Sequence, residues 1–446
     1  MFAYLPHTEN EIQLMLKEIG VSSIDDLFAD IPVKTRFQGS LDLPPGKSEL
    51  EVYTRLSALA ERNEQAVSFL GAGIYDHAIP ATVGALMGRT EFYTSYTPYQ
   101  PEISQGVLQA IFEFQTHMCE LTSLDVSNAS LYDGHTAASE ACALAINSTR
   151  KTDTILYSST LHPYTKQVLF TYFSDLGVKL VELPEKEGVL DLSSVKENLN
   201  PRVAGLLVQS PNIYGYLEDY TGLADLLHEN KSLFIISSNP MSLGVLKSQG
   251  EWGADIAIGD TQPFGLPPYY GGPTVGYIAA TEKLLRKMPG RIVGQSVDED
   301  GKRAFVLTLQ AREQHIKRER ATSNICSNQA LAALGSTIYL STVGKEGLKE
   351  IAALNMQKAH HLFNRLMNEL SVEEYAEQPF FNEFTLRLPK PAAEVVNAME
   401  EDGIFAGVPL NRLNASYPDT LLTVAVTEKR TAGEMDSFVE SMRRAL

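Results

Sequence analysis

Residues 203–209, VAGLLVQ, and 232–237, SLFIIS, are two short apolar runs with an amphipathic helical stretch, Thr221 to Glu229, between them. The same alternation extends outward in both directions. Upstream lie Thr154 to Ser158, a helix across Thr165 to Leu176, Val178 to Leu183 and a helix over Leu192 to Leu199; downstream lie Ala254 to Gly259 and Gly272 to Ala280. Near-continuous apolar strands joined by helices of about ten residues predict parallel strands covered by helices on both faces, a doubly wound α/β layer. In such a sheet ligands gather beyond the carboxyl ends of the strands. The loops to read are therefore 158–162 (SSTLH), 210–215 (SPNIYG), 237–240 (SSNP) and 259–262 (GDTQ), all small or polar.

Around this layer the chain divides into an arm over 1–60, a large domain over 61–330 and a small carboxyl-terminal α/β domain over 331–446. The arm carries expected helices over Glu9 to Ile19, around Ile24 to Phe28 and over Glu49 to Ala60, with Pro44-Pro45-Gly46 between them. In the small domain Leu348, Ile351, Ala352, Ala359, Leu362, Phe363, Leu366 and Leu370 repeat at helical spacing. Alternating Phe384, Leu386, Leu388, a helix over Ala392 to Glu401, alternating Leu422, Val424, Val426 and a helix over Gly433 to Ala445 follow.

Composition excludes several functions. Lys+Arg number 37 against 55 Asp+Glu, a formal net charge of −18, which argues against nucleic-acid binding because phosphate neutralisation needs a basic surplus. The three cysteines, Cys119, Cys142 and Cys326, lack metal-ligand spacing and read as buried reduced thiols. The opening MFAYLPHTENEIQLML has neither the basic nor the apolar region of a signal peptide, and no run of about 18 apolar residues occurs. A soluble, cytoplasmic protein with no membrane contact is expected. Histidines show no ligand pair, and adjacent His360 and His361 point to different helix faces, so no metal is expected.

Generic enzyme motifs mostly fail. Gly71-Ala72-Gly73-Ile74-Tyr75-Asp76 has Asp where a dinucleotide fingerprint needs its third glycine. Residues 132–140, YDGHTAASE, place a glycine and small residues at the start of an Ala-rich helix, suiting either an anion seat or close packing. Residues 96–106, YTPYQPEISQG, are too rich in proline for a strand or a helix interior and form a structural or a site-lining loop. Residues 283–320 hold ten Lys+Arg and five Asp+Glu, a local +5, read either as a solvated helix face or as a docking patch for an acidic partner.

These segments together, YTPYQPEISQG (96–106), YDGHTAASEA (132–141), SPNIYG (210–215), GADIAIGDTQPFGLPPYYGGPTVGYIA (253–279) and RATSNICSNQAL (320–331), closely resemble the amino-terminal half of the glycine cleavage system P-protein. The resemblance runs essentially from end to end. It implies a pyridoxal-phosphate (PLP)-dependent transferase fold of type I, aminotransferase-like. The implied activity is glycine decarboxylation through PLP, with the aminomethyl group passing to the lipoyl arm of H-protein.

A complete PLP enzyme of this kind needs a Schiff-base lysine after the strand Ala254 to Gly259 and an acid at the end of Ser232 to Ser237. Here Gln262 and Pro263 lie where the lysine belongs, no lysine occurs between Lys247 and Lys283, and Ser237 lies where the acid belongs. The expectation is therefore no catalytic residue on this chain, with PLP held covalently by a homologous partner subunit in a heteromer of two copies of each. His162 resembles the residue that stacks on the cofactor ring, and is here either a remnant of it or a core histidine. Tyr96, Tyr99, Gln100, Glu102, Ser104 and Asn324 are the candidates for lining the partner's site. Two other readings stay open: a purely structural scaffold subunit, and a self-sufficient aminotransferase-like enzyme using Lys166 or Lys247.

Overall fold

The computed structural model describes residues 4–37, 39–149 and 152–446, so the first three residues of the expected arm and Gln38 lie outside the described residues. The chain separates into two compact units, 1–64 and 65–446.

In the first unit, helix α1 (Glu9–Ile19) starts at a capping box in which Thr8 and Glu11 satisfy each other's backbone N–H, and it stops at Gly20 in the left-handed region. Helix α2 (Glu49–Ala60) repeats the box with Ser48 and Glu51. Ile24–Phe28 is a 3-10 helix, its short turn capped by Ser23 and Asp26.

The second unit is built on a seven-stranded sheet: β1 (Val126–Ser127), β2 (Thr154–Ser158), β3 (Lys179–Leu183), β4 (Val203–Gln209), β5 (Leu233–Ser238), β6 (Ile256–Asp260) and β7 (Gly276–Ala280), in the spatial order β1-β7-β6-β5-β4-β2-β3. Strands β2 to β6 pair in parallel, but β7 runs antiparallel to both β6 and β1. The sheet is thus mixed rather than wholly parallel as the apolar runs predict. Helix α3 (Gln105–Thr122) precedes β1, and helix α4 (Gly134–Ser148) lies against the sheet through Ala137, Ala138, Ala141, Cys142 and Ala145. Small side chains let that helix approach closely, which brings its first turn to the strand ends.

A hairpin, β8 (Ile292–Val297) with β9 (Arg303–Thr308), follows the sheet. The 40-residue helix α6 (Ala330–Glu369) bends at Gly344, whose φ of 63° and ψ of −174° break the helical repeat, and helix α5 (Pro163–Phe173) lies between β2 and β3. The carboxyl-terminal sheet has the order β10 (Glu373–Glu374), β11 (Glu383–Arg387), β13 (Leu421–Ala425), β12 (Val408–Pro409). Helices α7 (Ala392–Glu400) and α8 (Ala432–Ala445) cover it around Phe384, Leu386, Val424, Phe438 and Met442.

Two expectations are corrected. Cys326 is exposed, because it lies in the loop before α6 rather than in a helix; Cys119 is half-buried and only Cys142 is fully buried. The basic stretch 283–320 is not one helix face but a 3-10 turn, the hairpin and further short turns. Among the described residues no helix is long and apolar enough to cross a membrane, and no cluster of three or more His, Cys, Asp or Glu could hold a metal ion.

Candidate active site cavity and its outer wall

The parallel strands end at a cavity of about 420 Å³ lined by Gly71 to Tyr75, the start of α4, His162, Asn212, Ser237, Ser238, Asp260, Pro263 and Glu383. Register places Ser237 and Ser238 beside Ile258 and Gly259, so the ends of β5 and β6 form its floor.

Carboxyl groups dominate its chemistry. The N–H of Gly134, the first free amide of α4, donates to Asp260 Oδ2 at 3.0 Å, while Asp133 caps the same helix by accepting from Thr136 N at 2.7 Å. Two of the first-turn amides that could seat an external anion, those of Gly134 and Thr136, are thus engaged by the chain's own acids. Asp260 Oδ1 accepts from Gln262 N and Val275 N at 2.9 and 3.1 Å, yet desolvation outweighs these donors and raises its pKa. Gly134 has no Cβ because one would press on Gly259 and Asp260 at 3.3 Å.

Glu383, at the start of β11, is buried, accepts from Ala72 N at 2.6 Å and from Tyr75 Oη at 2.9 Å, and has its carboxyl pushed up to about 7 by desolvation. A Cβ at residue 71 would overlap this carboxyl, so glycine is required there. His162 caps α5 by accepting from Tyr164 N through Nδ1 at 3.1 Å and packs 4.9 Å from the His135 ring. Burial, with His135 second, pushes its pKa down to about 3, leaving a neutral imidazole.

The position where the resemblance places a lysine is structurally committed. Gln262 is buried, accepts from Tyr75 N at 2.9 Å, and donates to Tyr75 O at 2.9 Å and Leu266 O at 2.7 Å. No lysine or arginine lines the cavity among the described residues. Lys166 donates to Glu182 at 3.2 Å and Lys247 sits 4.3 Å from the centre of the Trp252 ring; neither reaches in. These residues do not fit a PLP molecule. There is no amine that could bind it, the end of β5 would offer its ring nitrogen hydroxyls rather than an acid, and the Gly134 and Thr136 amides that could take a phosphate are already given to Asp260 and Asp133.

The other candidates gather elsewhere. Tyr96 Oη lies 3.1 Å from Ser327 Oγ, and Tyr99 Oη lies 3.7 Å from Cys326 Sγ, so the 96–104 loop and the 323–328 loop form one wall. Both tyrosines are exposed, as are Gln100, Glu102 and Asn324; Ser104 is half-buried at the start of α3. Residues that sequence reading missed hold this wall. Gln105 donates to Phe305 O and accepts from Phe305 N, at 2.9 and 2.8 Å, tying the loop to β9. Asn328 donates to Ala129 O and Ser130 Oγ, and Arg291 reaches Tyr99. Gln105 lies inside the quoted motif and was open to this reading; Arg291 and Glu383 have no local signal. His162 is not part of this wall but of the inner cavity.

The mixed seven-stranded sheet, the strand-end cavity and the carboxyl-terminal α/β layer define a PLP-dependent transferase fold of type I. The model of the glycine cleavage system P-protein matches residues 2–442, and the chain belongs to that family. It is 52% identical over 444 residues to the probable glycine dehydrogenase (decarboxylating) subunit 1 of Geobacillus kaustophilus (strain HTA426), covering 98% of each. To the protein of that name from Listeria monocytogenes serotype 4b (strain CLIP80459) it is 50% identical over 445 residues, covering 99% of each. A crystal structure of glycine decarboxylase (P-protein) of the glycine cleavage system, in inhibitor-bound form, superposes with a TM-score of 0.92 at 42% identity over all of both chains.

Proposed function

We propose that this chain is the subunit without a Schiff-base lysine in a two-subunit glycine dehydrogenase (aminomethyl-transferring, decarboxylating) of the glycine cleavage system. PLP is held covalently by the homologous partner subunit in a cytoplasmic heteromer with two copies of each, and the aminomethyl group passes to the lipoyl arm of H-protein. The observation that carries this reading is the strand-end cavity itself: Gln262 and Pro263 where the resemblance places the lysine, and no lysine or arginine among the described residues of the lining.

This chain's own contribution is the outer wall. Tyr96, Tyr99, Gln100, Glu102, Ser104 and Asn324 close the partner's site, exclude water from it and orient what enters. Gln105 and Asn328 hold that wall rigid through backbone hydrogen bonds. Rigid placement matters because a misplacement of about 1 Å can cost on the order of a hundredfold in rate.

Reconstitution with a lysine-bearing homologue tests this. Borohydride should trap pyridoxyl label on the partner and none on this chain, and CO₂ release from glycine should require both. Label on this chain, or CO₂ release by it alone, refutes the division. Tyr99→Ala or Glu102→Ala should lower turnover while the complex stays assembled; unchanged turnover would favour a scaffold.

A further inference from the structure

Arg291 lies immediately before β8, and its carbonyl accepts from Ala129 N at 2.8 Å. Its residue exposure is 4%. Nη2 donates to Tyr99 Oη at 3.2 Å and to Cys326 Sγ at 3.5 Å, and the guanidinium carbon lies 5.2 Å from the centre of the Tyr99 ring. Nε and Nη1 are buried with no hydrogen-bond partner, and among the described residues no carboxylate pairs with the charge.

The other deeply buried arginine is treated differently. Arg430, 3% exposed, pairs with Asp76 at 3.0 Å and Glu434 at 3.5 Å. Arg312, partly buried, gives its N–H groups to the carbonyls of Leu309, Met288 and Gly290. A guanidinium withdrawn from water with no anion beside it and two nitrogens unpartnered is costly, and an anion arriving from outside would offset that cost. Its forked donors match a carboxylate. The two groups that Nη2 touches, Tyr99 and Cys326, are both exposed, so the buried charge lies directly behind the solvent-facing surface of the wall.

We propose that Arg291, with Tyr99 Oη and Cys326 Sγ, forms a carboxylate-binding subsite that takes the carboxylate of a small amino acid. It deepens the reading above, resting on the 96–104 loop lining a glycine site: Arg291 selects a substrate that carries a carboxylate and positions it from this chain's side.

Cysteine chemistry reads the subsite on the isolated full chain, with no turnover involved, so its outcome is separate from that of the reconstitution. Cys326 is alkylated with iodoacetate, which carries a carboxylate, or with neutral iodoacetamide; in each case Sγ forms the S–C bond and iodide leaves. Cys119, whose pKa burial pushes up to about 11, and buried Cys142 stay unlabelled, and peptide mass mapping confirms the site. Arg291→Gln should lower the iodoacetate-to-iodoacetamide rate ratio at Cys326 by roughly tenfold or more, the size of one charge-assisted contact. Tyr99→Phe, a change at an exposed residue that spares the fold, should lower it severalfold. Glycine and acetate should slow labelling of the native chain, whereas methylamine, which lacks a carboxylate, should not. An unchanged ratio in Tyr99→Phe and in a folded Arg291→Gln overturns the proposal. So does equal protection by glycine and methylamine, or protection only by the partner subunit, which would assign the charge to a side chain of that subunit.

Discussion

Glu383 offers a quantitative test of the cavity's electrostatics. Its carboxyl rises from an ordinary 4.5 to about 7 because it is buried among Gly71, Ala72 and Tyr75. A carboxyl whose pKa is raised in the folded state binds its proton more tightly there than in the unfolded chain. Its contribution is therefore intact below about pH 4.5 and is lost as pH rises through about 7. At roughly 1.4 kcal/mol per pH unit, the loss amounts to about 3 kcal/mol by pH 8.5. Glu383→Gln keeps the acceptor for Ala72 N and lets the amide donate to Tyr75 Oη, while removing the titration. The variant should therefore differ little from the native chain at pH 4.5 and be more stable by about 3 kcal/mol at pH 8.5. Glu140, also pushed up to about 7 by burial, contributes the same trend to both proteins and cancels in the difference. Equilibrium urea unfolding followed by circular dichroism at several pH values measures it. A variant-minus-native stability that is flat between pH 4.5 and 8.5 would refute an unpaired, proton-holding carboxyl at this position.

The same packing predicts that Gly71→Ala, which drives a methyl into the Glu383 carboxyl and Ala425, destabilises the chain by about 1–3 kcal/mol in the same assay. Gln105→Ala removes both hydrogen bonds to Phe305; amide exchange should speed up across residues 96–104 and in the hairpin, while the melting temperature of the sheet core moves little. Uniform exchange changes over the whole unit would instead make Gln105 a global stabiliser.

The large sheet was legible because its strands are short, apolar and flanked by amphipathic helices. The direction of β7 was not, since GYIAA is buried on both faces and a buried strand reads the same in either sense. Strand β1, two residues long, carries too little pattern to notice. For the site, the absence of lysine was readable at Gln262 and Pro263, but the acids that line the cavity were not. Glu383 lies more than 300 residues from the glycines it packs against, and Asp260 reads locally as a strand end. Of the ten basic residues in 283–320, Arg291 and Arg312 turn inward and the other eight are exposed, but composition did not show that they sit on turns and a hairpin rather than on one helix face.

These buried acids change what the missing lysine means. Were Pro263→Lys the only difference from a cofactor-binding relative, a single substitution would restore a PLP site. Asp260 argues otherwise. Its carboxylate accepts the Gly134 amide, the Gln262 amide and the Val275 amide at once, so removing it unties the start of α4 from the end of β6 and from the loop entering β7. The Gln262 side chain likewise ties the 71–75 segment to residue 266. Asp260 and Gln262 are hydrogen-bonded joints of the fold, so Pro263→Lys alone should leave the chain without a borohydride-trappable pyridoxyl adduct. Robust trapping on that variant would show that Asp260 and Gln262 yield to the cofactor, and that the carboxyl-lined cavity is a resting arrangement rather than a fixed one.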